Sequence, residues 1–125
     1  MRRLAVLLSI CLAACTTPQS SQRFVVFFEE WSAALDDNAQ AAINAAAQWA
    51  NAHPAEPVIV TGFADPEGSR KANVDLSRTR AQVVVDQLTR DGVVPGRIRL
   101  TAQGSTDFSQ TSQESRRVVI AIAGS

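Results

Sequence analysis

Two oppositely charged residues, Asp65 and Arg80, hold the chemistry this chain can perform. Leu76, Arg80, Val84 and Leu88 fall four apart, a spacing that stacks side chains on one face of a helix, so a guanidinium stands within an apolar stripe. Arg70, Arg78 and Arg90 fall where they can face water. Burying a guanidinium unpaired costs several kcal/mol, so Arg80 needs a carboxylate or an anionic ligand. Asp65 is the counterpart in reach, just past an expected strand and beside the start of the helix that carries Arg80. Two arrangements compete. In one, Asp65 caps local amides in a turn while Arg80 snorkels to the surface on its long stem. In the other, both project into a crevice, where Arg80 forks onto a carboxylate and Asp65 accepts from an ammonium. An amino-acid head group has that pattern of charge.

The pair belongs to the stretch TGFADPEGSRKANVDLSRTR, Thr61 to Arg80, which reads as a strand end, a tight turn and the first half of a helix. The surrounding elements must position it. Arg23 to Phe28 is β-branched and aromatic and predicts a buried strand. Asp36, Asp37 and Asn38 offer a cap and acids for a helix start, followed by an apolar stripe at Ala39, Ala42, Ile43, Ala46 and Ala50. Pro54 ends that helix. Val58 to Phe63 predicts a second strand, bounded by Pro57 and the Asp-Pro-Glu-Gly turn. The second helix runs from about Ser69 to Asp91, with Gly92 as a left-handed cap and Pro95 beyond it. Arg97 to Gln103 alternates, with Ile98, Leu100 and Ala102 on one face and Arg97, Arg99, Thr101 and Gln103 on the other. A polar loop, Ser105 to Ser115, holds Phe108 as its one large apolar residue, and Val118 to Ala123 predicts a buried closing strand. The order β-α-β-α-β-β is an α/β chain of the α+β kind, with two helices packed on one face of a sheet.

The amino end reads as an address. Arg2 and Arg3 precede an apolar run, Leu4 to Ala14, broken only by Ser9. A bilayer span needs ~20 residues, so the run is too short to cross and fits a secretion signal. Its end, Leu12-Ala13-Ala14-Cys15, resembles the lipobox of bacterial lipoproteins; the alternative is an ordinary signal with a chance cysteine. The resemblance implies cleavage after residue 14 and acylation of Cys15, palmitate included, so that residues 1–14 are signal peptide. Cys11 then leaves with the signal, and no disulfide is available. Several acyl chains give lasting membrane attachment. In lipoproteins of this kind Asp after the cysteine marks inner-membrane retention; Thr16 stands here, which points to the periplasmic face of the outer membrane. Residues 15–22 form the lipidated cysteine and a polar linker, whose seven residues TTPQSSQ reach at most ~25 Å.

Residues 23–125 are enough for one domain with one core. Without Arg2 and Arg3 the chain carries ten basic and twelve acidic residues, a net charge of about −2. Nothing there drives nucleic-acid binding. The one histidine, His53, precedes Pro54 at a helix end, where it caps or lies in solvent. No nucleophile constellation, metal-ligand spacing or phosphate loop is present, so neither an enzyme nor a cofactor is expected.

Thr61, Gly62, Asp65, Gly68, Asn73, Leu76, Ser77, Arg80 and Ala81 together resemble the signature of the OmpA-like C-terminal domain, a periplasmic peptidoglycan-binding family that includes Pal-type lipoproteins. Gly92-Val93, Arg97-Ile98, Gly104 and Arg116-Arg117-Val118 continue the pattern, so the resemblance spans nearly all of residues 23–125. It implies one mixed sheet with helices on one face, and non-covalent binding of meso-diaminopimelate on the peptidoglycan stem peptide. In that family the residue matching Asp65 takes the ammonium and that matching Arg80 takes the carboxylate, while Asn73 and Leu76 match pocket positions. The expected role is a tether from outer membrane to wall; the alternative is a lipoprotein that acts mainly on a protein partner, as Pal engages the Tol system. Three departures bear on the pocket: Ser115 replaces the usual Asn before Arg116, Ala64 replaces a polar residue, and Glu29-Glu30-Trp31-Ser32 replaces an Asp with small polar residues. Trp31, Ala64 and Arg116 are candidates for the lining, Trp31 either as a wall or packed beneath.

Overall fold

The computed structural model describes residues 21–64, 68–105 and 115–124. Strand β1 (Gln22–Phe27) leads to helix α1 (Asp37–Ala52), strand β2 (Val58–Ala64) and helix α2 (Arg70–Arg90). A 3-10 turn at Pro95–Arg97 then enters β3 (Ile98–Ser105), and β4 (Arg117–Ile122) closes the fold. The four strands lie in the order β1-β4-β2-β3. β4 runs antiparallel to both β1 and β2, whereas β2 and β3 are parallel, as α2 crossing between them requires.

Local chemistry fixes the helix ends. The Asp36 carboxylate accepts from the Ala39 amide at 2.7 Å and starts α1; the Ser69 hydroxyl accepts from Ala72 at 3.1 Å and starts α2. Past α2, Gly92 takes φ 102°, a left-handed conformation that side-chain-bearing residues rarely adopt. His53 caps α1: its Nδ1 lies 2.9 Å from the Trp49 carbonyl and its ring stacks on Trp49.

Both helices cover one face of the sheet. Ile43, Ala46 and Ala50 of α1 and Ala81, Val84 and Leu88 of α2 pack with Val26, Val58, Val60, Val118, Ile120 and Ile122. Each fully buried large aliphatic side chain contributes about 1.5–3 kcal/mol. The alanines set how closely helix and sheet approach. Gly62 is the tightest point: a methyl group there would lie 2.1 Å from the Ser77 carbonyl oxygen. Gly104, at φ 71°, faces Val74 in the same way, with 2.8 Å to its Cγ2. Between them, the Ser77 hydroxyl donates to the Val74 carbonyl at 2.8 Å and accepts from the Gly104 amide at 3.0 Å. These three motif residues hold α2 against β2 and β3.

Two expectations need correction. The first strand is not buried: it is an edge strand whose alternate residues Val25 and Phe27 stay 39% and 42% exposed, because the helices cover the other face only. Phe28, one step beyond, turns inward and is buried. Arg97 is not on the outer face of β3 with Arg99; from the 3-10 turn its guanidinium donates to the His53 and Glu56 carbonyls at 2.8 and 2.7 Å. Phe108 and most of the expected polar loop lie outside the described residues.

Candidate functional site

Arg80 is completely buried, the largest side chain in the interior to be so. Helix spacing put it there, one turn before Val84 and two before Leu88. Its Nε donates to the Ser32 carbonyl at 2.7 Å and one terminal nitrogen donates to the Glu29 carbonyl at 2.9 Å. The guanidinium carbon lies 5.4 Å from the centre of the Phe28 ring, within cation–π range. Thus α2 reaches across the end of β1 and fixes the turn that follows it. Hydrogen bonds from a charged donor to main-chain acceptors are worth about 1.5–3 kcal/mol each, and these two offset part of the hydration that burial removes. Arg80 does not snorkel.

The clamped turn carries Trp31. Its backbone sits at φ 56°, the one positive value among the described non-glycine residues, and its side chain is 63% exposed. The ring stands beside Gly68, where a Cβ would touch Trp31 at 3.6 Å. Trp31 is no part of the core: the indole lies at the surface, against Gly68 on the segment that leads into α2. A bulky residue held left-handed costs about 1–2 kcal/mol, and such outliers concentrate where function imposes them.

The remaining candidates divide by depth. Asn73 and Ser77 share with Arg80 the buried side of α2, and Leu76 is half-buried next to them. Ala64, at the end of β2, and Ser115 are fully buried, so both lie below the surface. Arg116 is half-buried and couples to β1 twice, its Nε donating to the Phe28 carbonyl at 3.1 Å and its own carbonyl accepting from the Phe28 amide at 2.9 Å. It also lines an open depression of about 250 Å³ between the end of β1 and the start of α1, with Phe28, Glu29, Asp36 and Asn38. Arg80, Asn73 and Leu76 do not line that depression. Asp65 lies outside the described residues. Ala64 ends β2 and Gly68 stands before α2, the two elements stapled together at Gly62.

Sequence reasoning missed the Glu29 and Ser32 carbonyls. Main-chain acceptors have no residue signature; the one available hint was a buried cation whose partners had to lie somewhere. Among the described residues, no group of His, Cys, Asp and Glu could hold a metal ion, and no helix is long and apolar enough to cross a membrane.

Residues 27–119 match the model of the OmpA family. The chain is 32% identical over 125 residues to the peptidoglycan-associated lipoprotein of Mesorhizobium japonicum, covering 90% of this chain and 74% of that protein. Its similarity to the lipoprotein of the same name from Rhizobium meliloti is also 32%, over 121 residues, 86% of this chain and 69% of that protein. Among solved structures, the peptidoglycan-associated lipoprotein from Burkholderia pseudomallei superposes with a TM-score of 0.71 at 24% identity, over 79% of this chain and 89% of that one. The OmpA-like domain of FopA1 from Francisella tularensis superposes with a TM-score of 0.76 at 20% identity, over 83% and 73%. At these identities the structures establish a shared fold: a mixed four-stranded sheet with two helices.

Proposed function

The chain belongs to the OmpA family, and from that membership we propose that it binds peptidoglycan without covalent chemistry and ties the cell envelope's outer membrane to its wall. The domain is structural, not catalytic. In this reading residues 1–14 are a signal peptide, Cys15 is acylated, and residues 16–21 are the leash, one residue shorter than expected because Gln22 already stands in β1. The ligand is the diaminopimelate residue of the stem peptide, with Asp65 taking its ammonium, Arg80 its carboxylate, and Asn73 and Leu76 lining the pocket.

One observation carries the ligand assignment. Arg80 is a buried guanidinium held in a single orientation by Ser32 and Glu29, on the buried side of α2 that also presents Asn73. A cation fixed in advance loses little side-chain entropy when an anion meets it. Trp31, exposed on the turn that Arg80 clamps, supplies an apolar wall for the methylene chain between the two charged ends of the ligand.

The test is a titration of the domain after Cys15 with a diaminopimelate-containing stem peptide and with its lysine-containing analogue. Lysine lacks the second carboxylate. Loss of a charge-assisted hydrogen-bonded pair predicts at least tenfold weaker binding of the analogue, from about 1.5–3 kcal/mol. Equal affinities would remove Arg80 from the site. A domain that ignores purified sacculi but captures an envelope protein supports the partner-binding alternative.

A further inference from the structure

The face of the sheet turned away from the helices has its own composition. Strand alternation places Arg23, Val25 and Phe27 on it from β1, Ile59 from β2, Arg99 from β3 and Arg117 from β4. Arg23 and Arg99 are exposed, and they sit in one cross-strand row with Ile59 between them, through the pairs Arg23↔Ala121, Ile59↔Ala121 and Ile59↔Arg99. Val25, Phe27 and Ile59 make up three of the five exposed large apolar residues among those described. No Asp or Glu occupies an outward position on any of the four strands. The acids are elsewhere: Asp37, Asp75 and Asp86 lie exposed on the two helices, and Glu29 and Glu30 on the turn beyond β1. Although residues 15–125 carry two more acids than bases, they gather one cationic, apolar face.

We propose that this open sheet face rests on an anionic phospholipid surface, the membrane leaflet into which Cys15 is anchored. The inference relies on the acylation of Cys15 proposed above. Two observations choose lipid as the occupant. The first is reach. Only six residues separate Cys15 from Gln22, where β1 begins, and a linker of that size spans at most ~25 Å. β1 is also the edge strand that carries Arg23, Val25 and Phe27, so the anchor leads directly into this face. The second is charge. Guanidinium groups flanking aliphatic and aromatic side chains match an interface where anionic headgroups overlie acyl chains, whereas the acids on the helices are repelled by it. The helix layer, with Asn73 and Arg80 buried beneath α2, lies on the opposite side of the sheet. The face and the ligand site share no residue, so both can be occupied together.

The experiment uses the acylated full-length protein purified from membranes and reconstituted into vesicles. With Cys11 removed and Cys15 acylated, a single introduced cysteine takes a polarity-sensitive dye: Val25→Cys on the face, Ala45→Cys on the exposed side of α1 as the control. Phosphatidylglycerol-rich vesicles are expected to blue-shift the dye at position 25 relative to phosphatidylcholine vesicles, and to leave the dye at position 45 unchanged. Arg23→Gln with Arg99→Gln is expected to lower the ratio of docked to undocked faces, read from the dye at position 25, about fivefold per arginine at an anionic surface, while sacculus binding stays intact. A dye at position 25 that remains as exposed in anionic as in neutral vesicles overturns the inference. So does protection of that position only in whole envelopes, which assigns the face to a protein. Mass spectrometry of the amino-terminal cysteine separates the premise: a chain without acyl mass defeats the anchor and this inference together, whereas an acylated chain with an exposed face defeats the inference alone.

Discussion

The Nε of Arg80 and the carbonyl of Ser32 meet at 2.7 Å although 48 positions separate them in the chain. That contact, with its companion to Glu29, joins the middle of α2 to the turn after β1 and makes Arg80 part of the frame.

Arg80→Ala is therefore expected to do two things at once. It removes two charge-assisted hydrogen bonds that hold the turn after β1 and leaves a void in the core, lowering stability by about 3 kcal/mol or more, and it abolishes sacculus binding. Arg80→Lys keeps the charge but lacks the fork that spans both carbonyls, so it falls between. Urea unfolding read beside sacculus binding checks this; an Arg80→Ala domain of native stability would falsify the clamp.

Asp65→Asn gives the complementary result. Removing the carboxylate's charge is expected to abolish recognition of the diaminopimelate ammonium while the unfolding midpoint stays near wild type. A large drop in midpoint would instead make Asp65 a structural partner of the fold, the first of the two arrangements weighed for it.

Gly62→Ala tests the helix–sheet contact. The new methyl would meet the Ser77 carbonyl at 2.1 Å, backbone that cannot move without lifting α2 off the sheet, so a loss of about 3 kcal/mol is expected. Gly96→Ala is the control: nothing lies within 4 Å of its Cβ, and the change is expected to be neutral or to stabilise by about 0.4–1 kcal/mol. Chemical denaturation of the pair decides it.

Trp31→Gly separates strain from function. Glycine accepts φ 56° without penalty, so the domain is expected to hold its stability within about 1 kcal/mol or gain. Binding of the stem peptide is expected to weaken as the apolar wall is lost. Thermal unfolding and the titration above measure the two effects; unchanged affinity would leave Trp31 outside the site.

Much of the architecture was legible because its signals are local. Asp36, Ser69 and Gly92 mark helix ends by their own chemistry, and Ile98, Leu100 and Ala102 alternate as a half-covered strand must. Arg80 was marked by helical spacing alone. β1 misled because Phe24 to Phe28 is apolar at every position, so nothing in it distinguishes a strand buried on both faces from an edge strand with one face open; only the position of β1 in the sheet decides that. The partners of Arg80 were hidden for a different reason. Any residue supplies a carbonyl, so Glu29 and Ser32 were visible as a departure from a familiar pattern but not as acceptors. Gly62, Ser77 and Gly104 stood out as motif residues, yet their work is close packing, which spacing alone does not reveal.

In a tether, β1 also has a mechanical consequence. A pull applied at Gln22 and opposed at α2, beyond the other end of the strand, runs along the strand's own axis. The six pairs from Gln22↔Ile122 to Phe27↔Arg117 then resist in shear, together, instead of unzipping one after another from a free end. At the far end of the strand, the Arg80 clamp passes the remaining force into α2 and the core. An edge strand that would peel under a sideways pull is, in this orientation, a tie rod.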